Sequence, residues 1–456
     1  TRHSYAGDIV TGTGGYSTYY GRTTDGSFID YIVERGPNGL IDGEAWMPDG
    51  TKITYGSEND GILYPTQIKD ANGNYITITY VGNAGPNINT ITDTLGRVIT
   101  FKYASGRLIN IQGPGYNGTT QTYMRLHYVQ KTLSATFSGL TKAVRDSSPY
   151  QLKAIYYPVT NTGYWFGDTD SYSSYGMVKK VMMNRSMSST GTTTAEGTVT
   201  KGTMSTQTIY NYPATASNLT KAPQYTTKTE TWAGIDTAAA VTSYSVNNTA
   251  NPRTTTITLP NGTKNKTYSY NNTTWNNGML YKTEFLAPNN AVLSKQEMTW
   301  AQGYNGAPRV TQVLSTDEKN QTKKQTFTYD TYYNQVAWAY EYGYSNNLLR
   351  KSYTTYENSA TYRGTYSGSK WQSGLHIFSL PKTSEVQNAA GVRQSRTNFT
   401  YDGGTMTTRS GVSNFDTAYN TSGYTKKRGN VTSTRTYTKA SNLTGYIDYD
   451  YTYDVL

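Results

Sequence analysis

The chain has 456 residues, no cysteine, and a formal net charge of +11 from 41 Lys plus Arg against 30 Asp plus Glu, so disulfides, thiolate metal sites and a cysteine nucleophile are excluded. No apolar run approaches the ~18 residues of a membrane span, and aromatic residues make up 13 % of the chain, which argues for a fold although the mean hydropathy is −0.67. With 45 Tyr and 43 Gly, abundant Thr, Ser and Asn and little Glu, the composition favours strands joined by tight turns, over a core in which Tyr buries its ring and keeps its hydroxyl hydrogen-bonded.

In chain order, the start Thr1-Arg2-His3-Ser4 has neither Met nor a signal peptide, and the natural N-terminus is expected further upstream. Gly12-Thr13-Gly14-Gly15 lacks the Lys-Ser or Lys-Thr and the helix of a phosphate loop. Pro48-Asp49-Gly50 opens a short strand to Tyr55. Two segments then align without a gap: Ile68 to Tyr80 on Ile91 to Tyr103. In the first, Asp70 and Gly73 predict a turn, and Ile76, Ile78 and Tyr80 form one face of the strand that follows; Asp93, Gly96, Ile99, Phe101 and Tyr103 occupy the same positions in the second. Asp hydrogen-bonds the turn backbone, Gly accepts positive φ, and the alternation with Thr77 and Thr79 is that of a strand with one buried face. Gly106 turns the chain into Leu108-Ile109-Asn110-Ile111.

From 113 to 250 the pattern loosens. Leu140 to Tyr157 is the one stretch that admits a short helix, with Pro149 and Pro158 against a long one. Tyr172 to Met187 predicts a strand pair whose methionines, Met177, Met182, Met183 and Met187, fill core gaps. Ser186 to Thr208 reads as a loop or ragged hairpin. Beyond 250 the copies return: Gly262 running to Tyr268 and Tyr270, Asp317 to Tyr329-Asp330, Gly391 to Tyr401-Asp402, and Gly429 to Tyr437. Asn-Gly or Asp-Gly occurs eleven times in the chain, about twice the chance expectation, as an array of hairpins requires. The expected divisions are therefore residues 1–112 and 251–456, both repetitive, with an irregular β insert at 113–250.

Chemistry-bearing residues are sparse. His3, His127 and His376 are too scattered for a motif-level metal site and are expected as surface or strand residues. Glu34, Glu44, Asp317 and Glu318 can be nominated as the carboxylates of a polysaccharide-cleaving enzyme, against the plainer reading of turn caps and solvated strand residues. The seven Trp (46, 165, 232, 275, 300, 338 and 371) are spaced as core residues, with sugar stacking as the alternative. Asn117, Asn261, Asn398 and Asn442 head Asn-x-Ser/Thr triplets and mark exposed turns. Short basic runs such as Lys179-Lys180, Lys323-Lys324 and Lys426-Lys427-Arg428 read as a solvated face rather than a polyanion groove.

The segments at Asp70-Ala71-Asn72-Gly73-Asn74 and Asp93-Thr94-Leu95-Gly96-Arg97, each with an alternating strand ending in Tyr, resemble bacterial RHS/YD-repeat proteins. The terminal Tyr453-Asp454-Val455-Leu456 looks like the opening of a further copy, so the polypeptide is expected to continue. The resemblance covers about 20–112 and 250–456, and Gly163 to Gly176 also looks familial. It implies an all-β array of antiparallel strand-turn-strand units winding into a spiral or barrel-like shell. In bacterial toxins of this kind the shell encloses a C-terminal toxic polypeptide, and the animal teneurins carry a similar barrel. The core signature of the Asp-Pro-x-Gly kind is absent, so no self-cleaving Asp carries over, and there is no toxin domain.

The expectation is a non-catalytic extracellular or bacterial cell-surface scaffold without cofactor, metal or nucleic acid. Its partners are the rest of a longer chain or other copies of itself, with an enclosed polypeptide or a surface glycan as further candidates. A fibre subunit or glycan-binding adhesin is the first alternative and a carbohydrate-active enzyme the second.

Overall fold

The computed structural model describes residues 5–133, 148–212, 224–235, 238–367 and 370–455. Among them the architecture is all-β: 29 strands belong to one antiparallel hydrogen-bonded sheet. Helical structure is confined to short 3₁₀ turns and the single turn Ala360–Arg363. The sheet is built of meanders in which successive strands pair, as tight turns between alternating segments dictate.

The chain forms two compact units, one of residues 1–98 with 296–456 and one of residues 99–295. In the first, Tyr5–Thr11 pairs with Ser17–Thr23, and the ladder runs through Asp30–Gly36, Gly39–Trp46, Lys52–Asn59, Ile62–Lys69 and Tyr75–Tyr80 to Ile88–Thr92. The same unit resumes at Pro308–Asp317 and runs through Thr322–Tyr329, Val336–Tyr342, Leu348–Tyr356, Pro381–Asn388, Arg393–Tyr401 and Val431–Lys439 to Thr444–Asp450. Two excursions, residues 357–380 and 402–430, leave this ladder between strands that still pair with one another.

In the second unit the meander passes from Arg107–Pro114 through Thr120–Gln130, Tyr150–Tyr157, Thr162–Trp165, Lys180–Arg185 and Thr203–Asn211. It then continues through Thr227–Trp232, Ala240–Asn247, Arg253–Thr258 and Lys264–Ser269 to Leu280–Leu286. A helix anywhere in 140–157 is not what forms at its described end. Tyr150–Tyr157 is a strand, because Ala154 and Tyr156 alternate onto a buried face against Trp165 and Met182; residues 134–147 lie outside the described residues. Between 172 and 187 the strand pair reduces to the bridge Tyr172↔Val178 and the strand Lys180–Arg185. The Ser/Thr-rich stretch after it forms the small hairpin Ser188–Ser189/Val199–Thr200. Met182 and Met187 pack in the core, whereas Met183 faces solvent.

A single sheet shelters its faces only where something lies on them, so the core is divided. Besides the cluster just named, the first unit holds Phe28, Ala307, Tyr333 and Phe378 in one cluster, and Met406, Phe415, Tyr424 and Val455 in another. Each cluster draws on one excursion: Phe378 comes from 357–380, and Met406, Phe415 and Tyr424 come from 402–430. Of the predicted strand core, Ile78 and Tyr80 are buried, while Ile76, Ile99, Phe101, Tyr103, Tyr329, Tyr401 and Tyr437 are half-buried.

Candidate functional site

The turns share one geometry. Asp70 N–H donates to Asn74 O (2.9 Å) and Gly73 N–H to Asp70 O (3.2 Å), while Asp70 Oδ1 accepts the N–H groups of Asn72 and Asn74 (2.9 Å each). Asp93 and Gly96 repeat the pattern, with Asp93 Oδ1 accepting from Leu95 and Arg97 (2.9 Å each). Burial alone would raise the Asp93 carboxyl, but the Arg97 and Leu95 amides and the Arg97 guanidinium outweigh it and hold the group below its ordinary value. This is a five-residue turn with its fourth residue in the left-handed region, at φ 92° for Gly73 and 76° for Gly96, the geometry of a type I turn closed by a bulge.

Gly50, Gly262 and Gly391 hold the same fourth position in turns opened by Met47, Leu259 and Asn388. Asp49 is third rather than first, and caps Thr51 N–H (2.9 Å). Asn290, Asn320 and Asn346 also take the fourth position, with φ of 69°, 60° and 57°. A search keyed to Gly passes over them, although Asn tolerates this backbone. Gly106 instead shares a two-residue turn with Ser105 between the paired Ala104 and Arg107. Gly429 is at no hairpin apex: its N–H donates to Asp402 Oδ2 (2.9 Å) at the neck of the second excursion.

The closing tyrosines are clasps. Tyr80 Oη donates to Pro65 O (2.7 Å), Tyr128 to Leu108 O (2.6 Å), Tyr356 to Val336 O (2.9 Å), Tyr401 to Pro381 O (2.7 Å) and Tyr453 to Val431 O (2.8 Å). Tyr329 donates likewise to Val310 O. The pairing Gln67↔Thr77 sets Pro65 across from Thr79, so the Tyr80 phenol reaches diagonally across its hairpin, and Tyr356 and Tyr401 reach in the same way to the first residues of the strands Val336–Tyr342 and Pro381–Asn388. Burial, then Glu357, pushes the Tyr401 phenol up to about 12, which keeps the donor protonated. Tyr437 does not close a hairpin; its hydroxyl accepts from Asn398 Nδ2 (3.3 Å), and Tyr453 takes the clasping place.

The excursions dock on the N-terminal turns. In 402–430, Ser413 N–H donates to Thr94 O (3.0 Å), Asp416 N–H to Gly73 O (2.9 Å) and Arg428 Nη1 to Asn72 O (3.0 Å), while Tyr75 N–H donates to Asn414 O (3.1 Å). Asp402, the Asp of its Tyr-Asp pair, closes the neck by accepting Arg428, Gly429 and Asn430 N–H groups (2.8, 2.9 and 3.0 Å). Arg428 is thereby buried, contrary to its reading as part of a solvated basic run. A Cβ on Gly73 would sit 2.7 Å from the Tyr419 ring, and one on Gly50 would sit 2.9 Å from Ile377.

In 357–380, Phe378 N–H donates to Pro48 O (3.0 Å), and His376 enters a buried polar knot. Arg22 holds Asp30 with two hydrogen bonds (2.8 and 2.9 Å), and Tyr366 Oη donates to Asp30 Oδ2 (2.8 Å). His376 sets Nε2 2.6 Å from the same oxygen and Nδ1 2.9 Å from Met47 O. Asp30 is 2 % and His376 0 % exposed, so the expectation of a surface or strand histidine is corrected. Both ring nitrogens of His376 thus face oxygen atoms, those of Asp30 and Met47. Burial would raise the Asp30 carboxyl; the hydrogen bonds of His376 and Arg22 outweigh it and hold it below the ordinary range. Burial, then the charge of Asp30, pushes the Tyr366 phenol far up. Phe378 stacks on Tyr333 at 3.6 Å between ring centroids, and Trp371 lies against Trp46 at 4.4 Å. No repeat or spacing announces this knot, since its members stand 336 and 346 residues apart.

His127 is also buried, with Nε2 2.9 Å from Ser189 Oγ, and burial lowers its pKa; His3 lies outside the described residues. Glu44 pairs with Lys52 (2.5 Å), Asp317 Oδ1 is committed to its turn, and Glu34 and Glu318 face solvent. Trp46 and Trp165 are buried and Trp338 stacks on Tyr353, whereas Trp232 and Trp275 are exposed. Among the described residues no group of His, Cys, Asp and Glu could hold a metal ion, and no helix is long and apolar enough to cross a membrane.

No family model and no curated protein matches the chain. Among solved structures, a porin-like protein from Bacteroides uniformis ATCC 8492 aligns over 77 % of this chain and 88 % of its own, at 9 % identity and a TM-score of 0.15.

Proposed function

We propose that the chain is a non-catalytic wall segment of an RHS/YD-repeat protein, working outside the cell or on a bacterial surface, with the antiparallel ribbon wound into a spiral or barrel-like shell. The observation that carries this reading is the recurrence of one device, the left-handed fourth turn residue together with the tyrosine clasp, along the chain. Such a device spends its polar groups on backbone and leaves none aimed at a substrate. A wall of this kind needs no cofactor. Its partners are the remainder of its own polypeptide or further copies, and the enclosed cargo of a shell is a polypeptide.

Negative-stain microscopy of the purified chain tests the reading. Uniform hollow particles are expected, whereas ordered filaments would replace the shell with a fibre subunit. Turnover of any bacterial or plant polysaccharide, abolished by replacing one carboxylate, would overturn the non-enzymatic assignment.

A further inference from the structure

One face of the second unit is cationic and concave in a way that wall-building does not require. Across four successive strands the register sets Ser245, Thr256, Lys266 and Glu284 in one row. Thr258, Lys264 and Leu286 lie in the row beside it, and Thr254, Tyr268 and Lys282 in the row on the other side. A cavity of about 400 Å³ opens here, lined by Ser245, Thr256, Lys264, Lys266, Glu284 and Asn290 with Leu286 and Val292. That volume falls within the roughly 300–1,000 Å³ of small-molecule sites.

The lysines are held, not splayed into water. Lys264 Nζ donates to Asn290 Oδ1 and to Pro288 O (3.4 Å). Lys266 and Lys282 place their ammonium groups 5.0 and 4.5 Å from the centroid of the Tyr268 ring. The one carboxylate, Glu284, is taken by Lys282 (2.6 Å) and by the Tyr268 hydroxyl (2.6 Å). Glu284 feels the charge of Lys266, its cross-strand neighbour, as well as that of Lys282, so one carboxylate stands among the three ammonium groups of Lys264, Lys266 and Lys282, a net positive charge that an anion in the cavity would offset.

We infer that this cavity binds an acidic oligosaccharide, with Lys264 and Lys266 on its carboxylates and Ser245, Thr256 and Asn290 on its hydroxyls. The donor set decides among anions. Ammonium groups act as point charges, and no Arg fork for bidentate phosphate lies in the lining. The lining holds no aromatic side chain on which a nucleobase could stack, and the face of adjacent Tyr268 is approached by Lys266 and Lys282. Hydroxyls and an amide between the charges match a ligand that alternates carboxylates with hydroxyls, as a uronic acid chain does.

Calorimetry with the full chain and a galacturonic acid trimer tests this, with a neutral glucose trimer and a short oligothymidylate as the other ligands. Expected are binding of the uronate that weakens with added salt, little response to the neutral trimer, and about a tenfold loss of affinity, near 1.4 kcal/mol, in Lys264→Gln/Lys266→Gln. The same double change at Lys323 and Lys324, which also lie over tyrosine rings, at 4.8 and 4.1 Å, leaves the affinity unchanged. The proposal is overturned by no binding at millimolar trimer, by equal binding of the neutral sugar, by tighter binding of the oligothymidylate, or by full affinity in the Lys264/Lys266 variant. Lys266→Gln alone replaces the double variant if the latter melts early.

Discussion

The turns near the N-terminus and those further along share a backbone geometry but not a neighbourhood. At Gly50, Gly73 and Gly96 an excursion lies against the turn, and an added Cβ would meet Ile377, Tyr419 or Ser413 within 2.9 Å. At 290, 320 and 346 the fourth residue is exposed, and there the chain carries Asn. Positive φ therefore explains a choice between Gly and Asn, while close approach by another segment explains why only Gly serves in the docked set. One local rule yields two populations because tertiary contact adds a second requirement.

The sharpest way to break this comparison is at the anchor of the docking. Asp30→Ala leaves Arg22 buried without its counter-charge and removes the oxygen that Tyr366 and His376 share, and should cost about 3–5 kcal/mol in urea unfolding. The Asp30 carboxyl is held below its ordinary value, so its contribution is complete above roughly pH 4 and is lost as pH falls through the lower folded value. The variant should lose that acid-dependent slope in unfolding midpoints measured from neutral pH downward.

Next in size, Gly73→Asn keeps a residue able to adopt the turn yet drives its side chain into Tyr419, with an expected cost of about 1–3 kcal/mol. Gly391→Asn, where the nearest atom to an added Cβ is Lys351 Nζ at 3.4 Å, should cost no more than about 1 kcal/mol. Equal effects in matched melts would erase the distinction between docked and bare turns. The clasps should not distinguish the two populations: Tyr80→Phe and Tyr401→Phe are each expected to lose about 1 kcal/mol. Smallest of all, Asn346→Gly should stay within about 0.5 kcal/mol.

What was legible in the chain was whatever repeats locally. The Asp70/Gly73 and Asp93/Gly96 spacings announce turns, and Ile76, Ile78 and Tyr80 announce a strand face, because both rest on neighbours a few residues away. The spacing of Tyr401 was legible too, but not its acceptor, since a carbonyl 20 residues upstream leaves no side-chain signature. Tyr150–Tyr157 was open to a helical reading because short apolar runs carry either period, and pairing on both sides decides it as a strand. The polar knot could not be read at all: His376 and Tyr366 look like isolated residues until a long excursion folds back over the strands that carry Arg22 and Asp30.

The parallel pairing of Met406–Thr407 with Tyr453–Asp454, reinforced by Arg428 Nη1 on Val455 O (2.8 Å), has a mechanical consequence. Tension applied at Val455 meets a short ladder loaded along its strands before it can peel the ribbon from Thr444–Asp450. The 402–430 excursion would act as a clutch, giving way first and shielding the hairpins behind it until it slips.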